Sequence, residues 1–472
     1  MTAVAATRPL FQRSTAELSR LIGSGELSPV EVLQSFLDRI DAVDGKIKAW
    51  SYLDREAALI AAHEAEAELR AGRRRSALHG IPFGIKEQFA LAGVPTLGDW
   101  KDPNPPIAEE DATVVARLKE AGAVLLGKLY MVGPSGTPPT RNPFHLEHTP
   151  GGSSSGSGAA VGARMAPFTL SEQTAGSGIR PAAYNGVAGL KPTYGRVSRH
   201  GMFQMAWSHD HACIIGQTVE DVALVYEAAR GHDPKDPSSR YEPVEPFDLA
   251  DLRPPKVGVV RNFFPELTKP VVLDAIEAGA AMLRDAGADV VDTTLPDEVG
   301  LAWMNWMVVG GCEGSTINAK ADSARREAGL GPRPMPGSIR PTSKWAAGAG
   351  QVAGSLLPAT YYLQAQRLRR HLTGVVAAYF ARTGFDALLM GTAPDIPPKD
   401  LSSSGDWSLL VPWSHLGNPA VSIPGGLSPE GLPLGLQLVG PLLGDEGLLR
   451  TAAWCEEVIG RLGMPPLTGR DE

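Results

Sequence analysis

The chain has little of what marks several large classes of protein. Its 472 residues include only three cysteines, Cys213, Cys312 and Cys455, odd in number and far apart. That argues against a disulfide framework, offers no metal-ligand spacing and points to a reducing compartment. There is no excess of positive charge. With 44 Lys and Arg against 52 Asp and Glu the net charge is −8, so no basic field draws the chain to nucleic acid. Its basic run Arg73-Arg74-Arg75 reads as a solvated helix end. Nor is any apolar run fit to cross a bilayer. The uncharged stretch from Trp345 to Gln366 is interrupted by Gly348, Gly350, Gly354 and Pro358. The opening residues MTAVAATRPLFQRS lack the apolar core of a signal peptide. A soluble cytoplasmic protein with no membrane and no nucleic-acid partner is expected. Histidines stand in no recognisable motif. His209-Asp210-His211 has no further ligands near it in sequence and reads as structural, so no metal is expected.

What is present is a recurrent alternation of helix and short apolar strand. Ser14-Thr15-Ala16-Glu17 and Ser28-Pro29-Val30-Glu31 are capping boxes, and the second opens an amphipathic helix to about Asp41. A second helix is predicted from about Arg55 to Leu69, and a short strand ending near Lys86. Asp111 is expected to open a helix through Lys119, ahead of the buried strand Ala123 to Gly127. Further on, Lys256 to Val260, Val271 to Asp285 and Asp289 to Asp292 read as strand, helix and strand of one βαβ unit beside the same sheet. Residues 296–354 show little periodicity and are expected to be irregular. A helix over Ala359 to Ala378 and a strand over Asp386 to Met390 follow, and Leu434 to Val439 is expected to close the sheet. The pattern predicts an α/β fold.

The centre of the chain, Thr149 to Tyr194, is dense in Gly and Ser and nearly free of charge. It is too apolar for a linker, since it carries Ala159-Ala160-Val161 and then Gly186-Val187-Ala188-Gly189-Leu190. Glycines that pack are expected where a backbone must come close to its neighbours. Gly152-Ser153-Ser154-Ser155-Gly156 fits the G-x-S-x-G nucleophile elbow centred on Ser154. That motif needs a strand before it, and Thr149-Pro150-Gly151 makes a poor one, so Ser154 reads as a loop-fixing residue. No phosphate-binding loop is present, because no Gly-Lys-Ser/Thr follows.

Three segments together carry a resemblance. They are Gly80-Ile81-Pro82-Phe83-Gly84-Ile85-Lys86, Gly151-Gly152-Ser153-Ser154 and Thr174-Ala175-Gly176-Ser177, with Ser153 and Ser177 24 positions apart. The chain resembles the amidase signature family of serine hydrolases over nearly its whole length. The resemblance implies one domain over 1–472, a large mixed β-sheet flanked by helices on both faces, and a signature region over 80–200. It implies a triad of Ser177 as nucleophile, Ser153 as proton relay and Lys86 as base, with a cis peptide bond before Ser153. The backbone N–H groups of Thr174, Ala175, Gly176 and Ser177 would form the oxyanion hole, with Gly152, Ser154 and Gln173 supporting. An unperturbed lysine titrates near ~10.4. Bringing it toward ~7 means roughly 4–5 kcal/mol against the ammonium, for which burial beneath Ile81-Pro82-Phe83 is the expected cause. The family's acyl-enzyme mechanism uses no cofactor.

The departures from the family pattern bear on substrate. Glu87-Gln88 replaces the usual Asp-Asn, Gln173-Thr174-Ala175-Gly176-Ser177 replaces Asp-Thr-Gly-Gly-Ser, and Leu129-Tyr130 replaces Thr-Asn. The resemblance places residues 296–354 at the substrate mouth. Met131, Trp303, Trp306, Trp345 and Trp413 are the pocket candidates, and few charges stand near them in sequence. A small hydrophobic or aryl amide, or a carbamate with the same carbonyl and leaving nitrogen, is the expected substrate. Two rivals stand beside this reading. One is the A subunit of a tRNA-dependent amidotransferase, and the other is a non-catalytic subunit that keeps the fold. A homo-oligomer is compatible with everything in the sequence.

Overall fold

The computed structural model describes residues 8–96, 105–133, 136–244, 246–327 and 354–469. Eleven strands form one sheet: β1 (Trp50–Leu53), β2 (Pro82–Lys86), β3 (Val124–Leu129), β4 (Phe168–Gln173), β5 (Ala188–Lys191), β6 (His211–Gly216), β7 (Lys256–Val260), β8 (Asp289–Thr293), β9 (Ala387–Gly391), β10 (Ala420–Leu427) and β11 (Pro433–Val439). Their order across the sheet is β1-β3-β2-β4-β6-β5-β10-β11-β9-β7-β8. β2 runs parallel to β3 and β4, and β7 runs parallel to β8 and β9. The remaining pairs are antiparallel. The sheet is therefore mixed, as the resemblance implied.

Alternation along the strands builds the two outer layers. On one face Leu389, Val421, Ile423, Leu436 and Leu438 pack with Ala275, Ile276 and Leu283 of the helix Pro270–Asp285 and Leu448 and Leu449 of Asp445–Ile459. On the other, Leu388, Met390, Ala420 and Val439 meet Leu372, Val376 and Phe380 of Ala359–Thr383 and Trp413 of Val411–Leu416. Both capping boxes form, and the second opens a helix that runs on to Ile47.

Three expectations fail. Leu434 to Val439 does not close the sheet, because β11 lies inside it between β10 and β9, and the edges are β1 and β8. Asp111 does not open a helix, which starts at Thr113. Its carboxylate instead accepts from the Ala92 N–H at 2.9 Å and pairs with Lys119 at 2.7 Å. The irregularity expected over 296–354 gives way to a helix over Ala302–Glu327, while 328–353 lie outside the described residues. The buried stripe Ala302, Asn305, Trp306, Val309 and Glu313 has helical spacing. Two of its members are polar, which hides it from a hydrophobicity pattern. Asn305 donates to Ala365 O at 2.9 Å, and Glu313 accepts from Ser208 and Tyr362. No helix among the described residues is long and apolar enough to cross a membrane.

Candidate active site

Lys86 ends β2, whose five residues are all buried. Its neighbours β3 and β4 run parallel to it, so the segments that follow all three strands gather at one end of the sheet. Open α/β sheets place their sites at such carboxyl ends. Lys86 is fully buried, and its Nζ lies 2.7 Å from Ser153 Oγ and 2.7 Å from Glu172 Oε2. Expected beneath apolar cover alone, the lysine has a carboxylate partner as well.

The Gly152–Ser153 peptide bond is cis. Arg180, buried behind the loop, donates to Gly152 O, to Gly405 O at 2.8 Å and to Ser404 Oγ at 3.3 Å, and so pins the carbonyl ahead of Ser153. Burial lowers the pKa of this guanidinium. The Val132 N–H donates to Ser153 O at 2.8 Å. A Cβ on Gly152 would lie 2.7 Å from Val132 Cγ2, so only glycine allows that approach. Ser154 is fully buried, and its hydroxyl donates to Glu172 O at 3.1 Å and accepts from Glu172 N at 3.3 Å. Its N–H reaches Ser177 O at 3.2 Å. Ser154 thus ties the serine loop to β4 and to the turn carrying Ser177.

That turn is held from outside. Gln173 Oε1 accepts from the N–H groups of Gly178 and Ile179 at 3.1 and 3.0 Å, and its amide donates to Ser414 Oγ at 2.9 Å. Ser414 donates in turn to Ala175 O at 2.7 Å, and Trp306 Nε1 donates to Thr174 O at 3.4 Å. In a planar trans peptide the N–H points opposite to its C=O. The Ala175 N–H is therefore aimed away from Trp306 and the Gly176 N–H away from Ser414. Among the described residues the N–H groups of Thr174, Ala175, Gly176 and Ser177 have no protein acceptor. Donors left free in this way can meet a developing oxyanion. A Cβ on Gly176 would come 2.7 Å from Leu410 Cδ1 and 2.9 Å from Trp407 Cβ.

The pocket candidates separate. Trp306 packs with Ala175 and Val411, and with the partly buried Trp303, Met307 and Trp407. Its ring meets that of Trp407 edge-on at 5.1 Å. Trp303 also donates to Ser408 O at 2.7 Å. Met131 is buried in the segment that leads to Val132. Trp345 lies outside the described residues. Trp413 is no pocket residue. It is fully buried and stacked on Phe264 at 5.8 Å, in the layer beneath β9 and β10. The helix Val411–Leu416 is buried on all sides, and it sends Val411 toward Ala175 and Trp413 into this other layer. Trp413→Ala is accordingly expected to cost about 3–5 kcal/mol of stability while leaving KM near that of the wild type. Trp306→Ala should instead raise KM. Denaturant unfolding and steady-state kinetics on both variants check this.

Sequence reasoning missed Glu172, Arg180, Ser414 and Trp407. Glu172 and Arg180 carried a local signal, as the only acid in the nearly uncharged centre and the first charge after Ser177. His209 and His211 are buried and held neutral by desolvation, with His209 Nε2 2.9 Å from His415 Nδ1. Among the described residues no cluster of three or more potential ligands forms around them.

Comparison with known proteins adds three findings. The family model described as Amidase matches residues 31–449. The glutamyl-tRNA(Gln) amidotransferase A chain of Acidothermus cellulolyticus is 36% identical, covering 96% of this chain and 96% of that protein. Its counterpart from Salinispora tropica is 34% identical, covering 96% and 99%. Among solved structures, native peptide amidase from Stenotrophomonas maltophilia superposes with a TM-score of 0.80 at 28% identity, covering 97% of this chain and 99% of that one. The 6-aminohexanoate cyclic dimer hydrolase does so with a TM-score of 0.80 at 25% identity over the same shares.

Proposed function

The chain belongs to the amidase family of hydrolases acting on C–N bonds, and from that premise we propose that it cleaves amides of small hydrophobic or aryl molecules through an acyl-enzyme on Ser177. The observation that carries this is the contact of Lys86 Nζ with Ser153 Oγ at 2.7 Å, beside the turn that presents Ser177. Ser177 Oγ attacks the carbonyl as its proton passes to Ser153, whose own proton passes to Lys86. The free N–H groups of the 174–177 turn receive the oxyanion. Collapse expels the nitrogen with a proton returned by Ser153, and water then repeats the steps on the ester.

The substrate class rests on the apolar group around the turn. Trp306, Trp407, Trp303, Met307 and Val411 gather against Ala175. Burying an aryl or alkyl group against such surface is worth about 25 cal/mol per Å². Carbamates present the same carbonyl and leaving nitrogen and belong to the same proposal. A reducing, cytoplasmic setting fits the three free cysteines. The curated relatives favour a second reading, that of an amidotransferase component working with partners.

Kinetics on the isolated chain with glutamine, acetamide, an anilide and an aryl carbamate separate these readings. The anilide or carbamate is expected to exceed glutamine and acetamide in kcat/KM by about tenfold or more, the worth of a few buried methylenes. If the small polar amides win, the pocket assignment is wrong. If nothing is turned over until partner proteins are added, the amidotransferase reading takes its place.

A further inference from the structure

One buried acid touches the triad and has no part in the mechanism above. Glu172, 1% exposed, is the last residue but one of β4. Its Oε2 accepts from Lys86 Nζ at 2.7 Å, and its Oε1 accepts from the Thr174 hydroxyl at 2.8 Å. The result is an unbroken line from Thr174 through Glu172 and Lys86 to Ser153. Nearby, Asp210 is a fully buried carboxyl that accepts from the N–H groups of Met205 and Ala206. Burial, and next the charge of Glu172, push the Asp210 carboxyl well above the usual range.

We propose that Glu172 is the terminal proton acceptor of the acylation step, acting through Lys86. The inference rests on the reading of Ser177, Ser153 and Lys86 as the hydrolytic site. As the bond from Ser177 Oγ to the carbonyl carbon forms, the Oγ–H bond breaks and that proton moves to Ser153. The Ser153 proton moves to Lys86, and one ammonium proton moves to Glu172 Oε2. Lys86 is an ammonium before and after, Glu172 changes from carboxylate to acid, and the carbonyl electron pair becomes the oxyanion. When the intermediate collapses the same line runs backwards and the proton leaves with the nitrogen. The lysine thus relays protons without first giving up its charge to solvent. The titratable groups facing Glu172 are Lys86 from β2, Asp210 from the turn before β6, and Cys213 from β6, whose thiol is kept protonated by burial.

The test is the rate at which a fluorophosphonate labels Ser177 from about pH 4 to about pH 10 at two temperatures, which needs no knowledge of the natural substrate. Glu172 must be ionised to accept, so the rate rises with pH through a carboxyl limb and is level where a lysine would titrate. The limb should stay in place on warming, because carboxyl ionisation has little enthalpy. An ammonium limb would move to lower pH. E172Q should label about 100-fold more slowly at neutral pH and lose the carboxyl limb, while E172D should keep the limb and recover most of the rate. A wild-type limb that moves on warming as an ammonium does, or E172Q labelling within about threefold of wild type, overturns the proposal. The temperature dependence is read on the wild-type enzyme, so an E172Q that fails to fold still leaves the question decided. Should Ser177→Ala retain turnover, the hydrolytic reading itself has failed; Ser177 essential and E172Q active would sink only this inference.

Discussion

Replacing Ser177 with alanine is expected to abolish turnover while leaving the fold and substrate binding in place. The hydroxyl makes no side-chain hydrogen bond among the described residues, so its removal frees no partner. The turn that carries it is held by hydrogen bonds with Gln173, Ser414 and Trp306, none of which goes to the Ser177 hydroxyl. Loss of a nucleophile that acts as part of a unit costs on the order of 10⁶-fold in kcat, and what remains comes from binding and the oxyanion donors. Burst and steady-state kinetics with an anilide, together with near-ultraviolet circular dichroism and a melting curve, check both halves. Turnover within about tenfold of wild type would place the nucleophile elsewhere.

The second large effect concerns Lys86 and Ser153. Each single alanine variant is expected to slow acylation by roughly 10³–10⁴-fold, because one hydrogen bond of 2.7 Å joins the two and a relay missing either member transfers nothing. The double variant should be little worse than the worse single one, whereas independent roles would multiply. The two differ in stability. Ser153→Ala removes a small group. Lys86→Ala leaves the Glu172 carboxylate buried without its ammonium, a loss of about 3–5 kcal/mol in comparable cases, so a marked fall in melting temperature is expected from Lys86→Ala alone. A double-mutant cycle on acylation, read beside thermal unfolding of the three variants, tests both statements.

How much of this was legible in the sequence depended on whether the signal was local. The capping boxes at Ser14 and Ser28 and the strand-helix-strand unit from Lys256 to Thr293 are set by residues a few positions apart, and they formed where expected. Lys86, Gly152-Ser153 and Gly176-Ser177 were legible because a short segment carries each, and the structure brings Lys86 to Ser153. Partners contributed from far along the chain were not. Ser414 steadies the Ser177 turn from 237 positions away, and no pattern in the sequence links the two. Trp413 was misread for a related reason: all six residues of the helix Val411–Leu416 are buried, so no periodicity showed that Val411 meets Ala175 and Trp306 while Trp413 enters the layer around Phe264. In Ala302–Glu327 the buried stripe includes Asn305 and Glu313, whose partners lie on other elements, so a polar residue in a core stripe read as the absence of a helix.

Ser177 and Ser154 are the two serines that sequence motifs offer as nucleophile, and they sit in loops joined by the bond from Ser154 N to Ser177 O. Trapping the wild-type enzyme with a fluorophosphonate and mapping the modified peptide distinguishes them directly. Ser154 is fully buried with its hydroxyl bonded to both the C=O and the N–H of Glu172, which leaves it in no position to attack. A label on Ser177, lost in Ser177→Ala and slowed in Ser153→Ala, is the result expected of a serine activated through Ser153 and Lys86. A label on Ser154, or one on Ser177 whose rate is indifferent to Ser153, would contradict it.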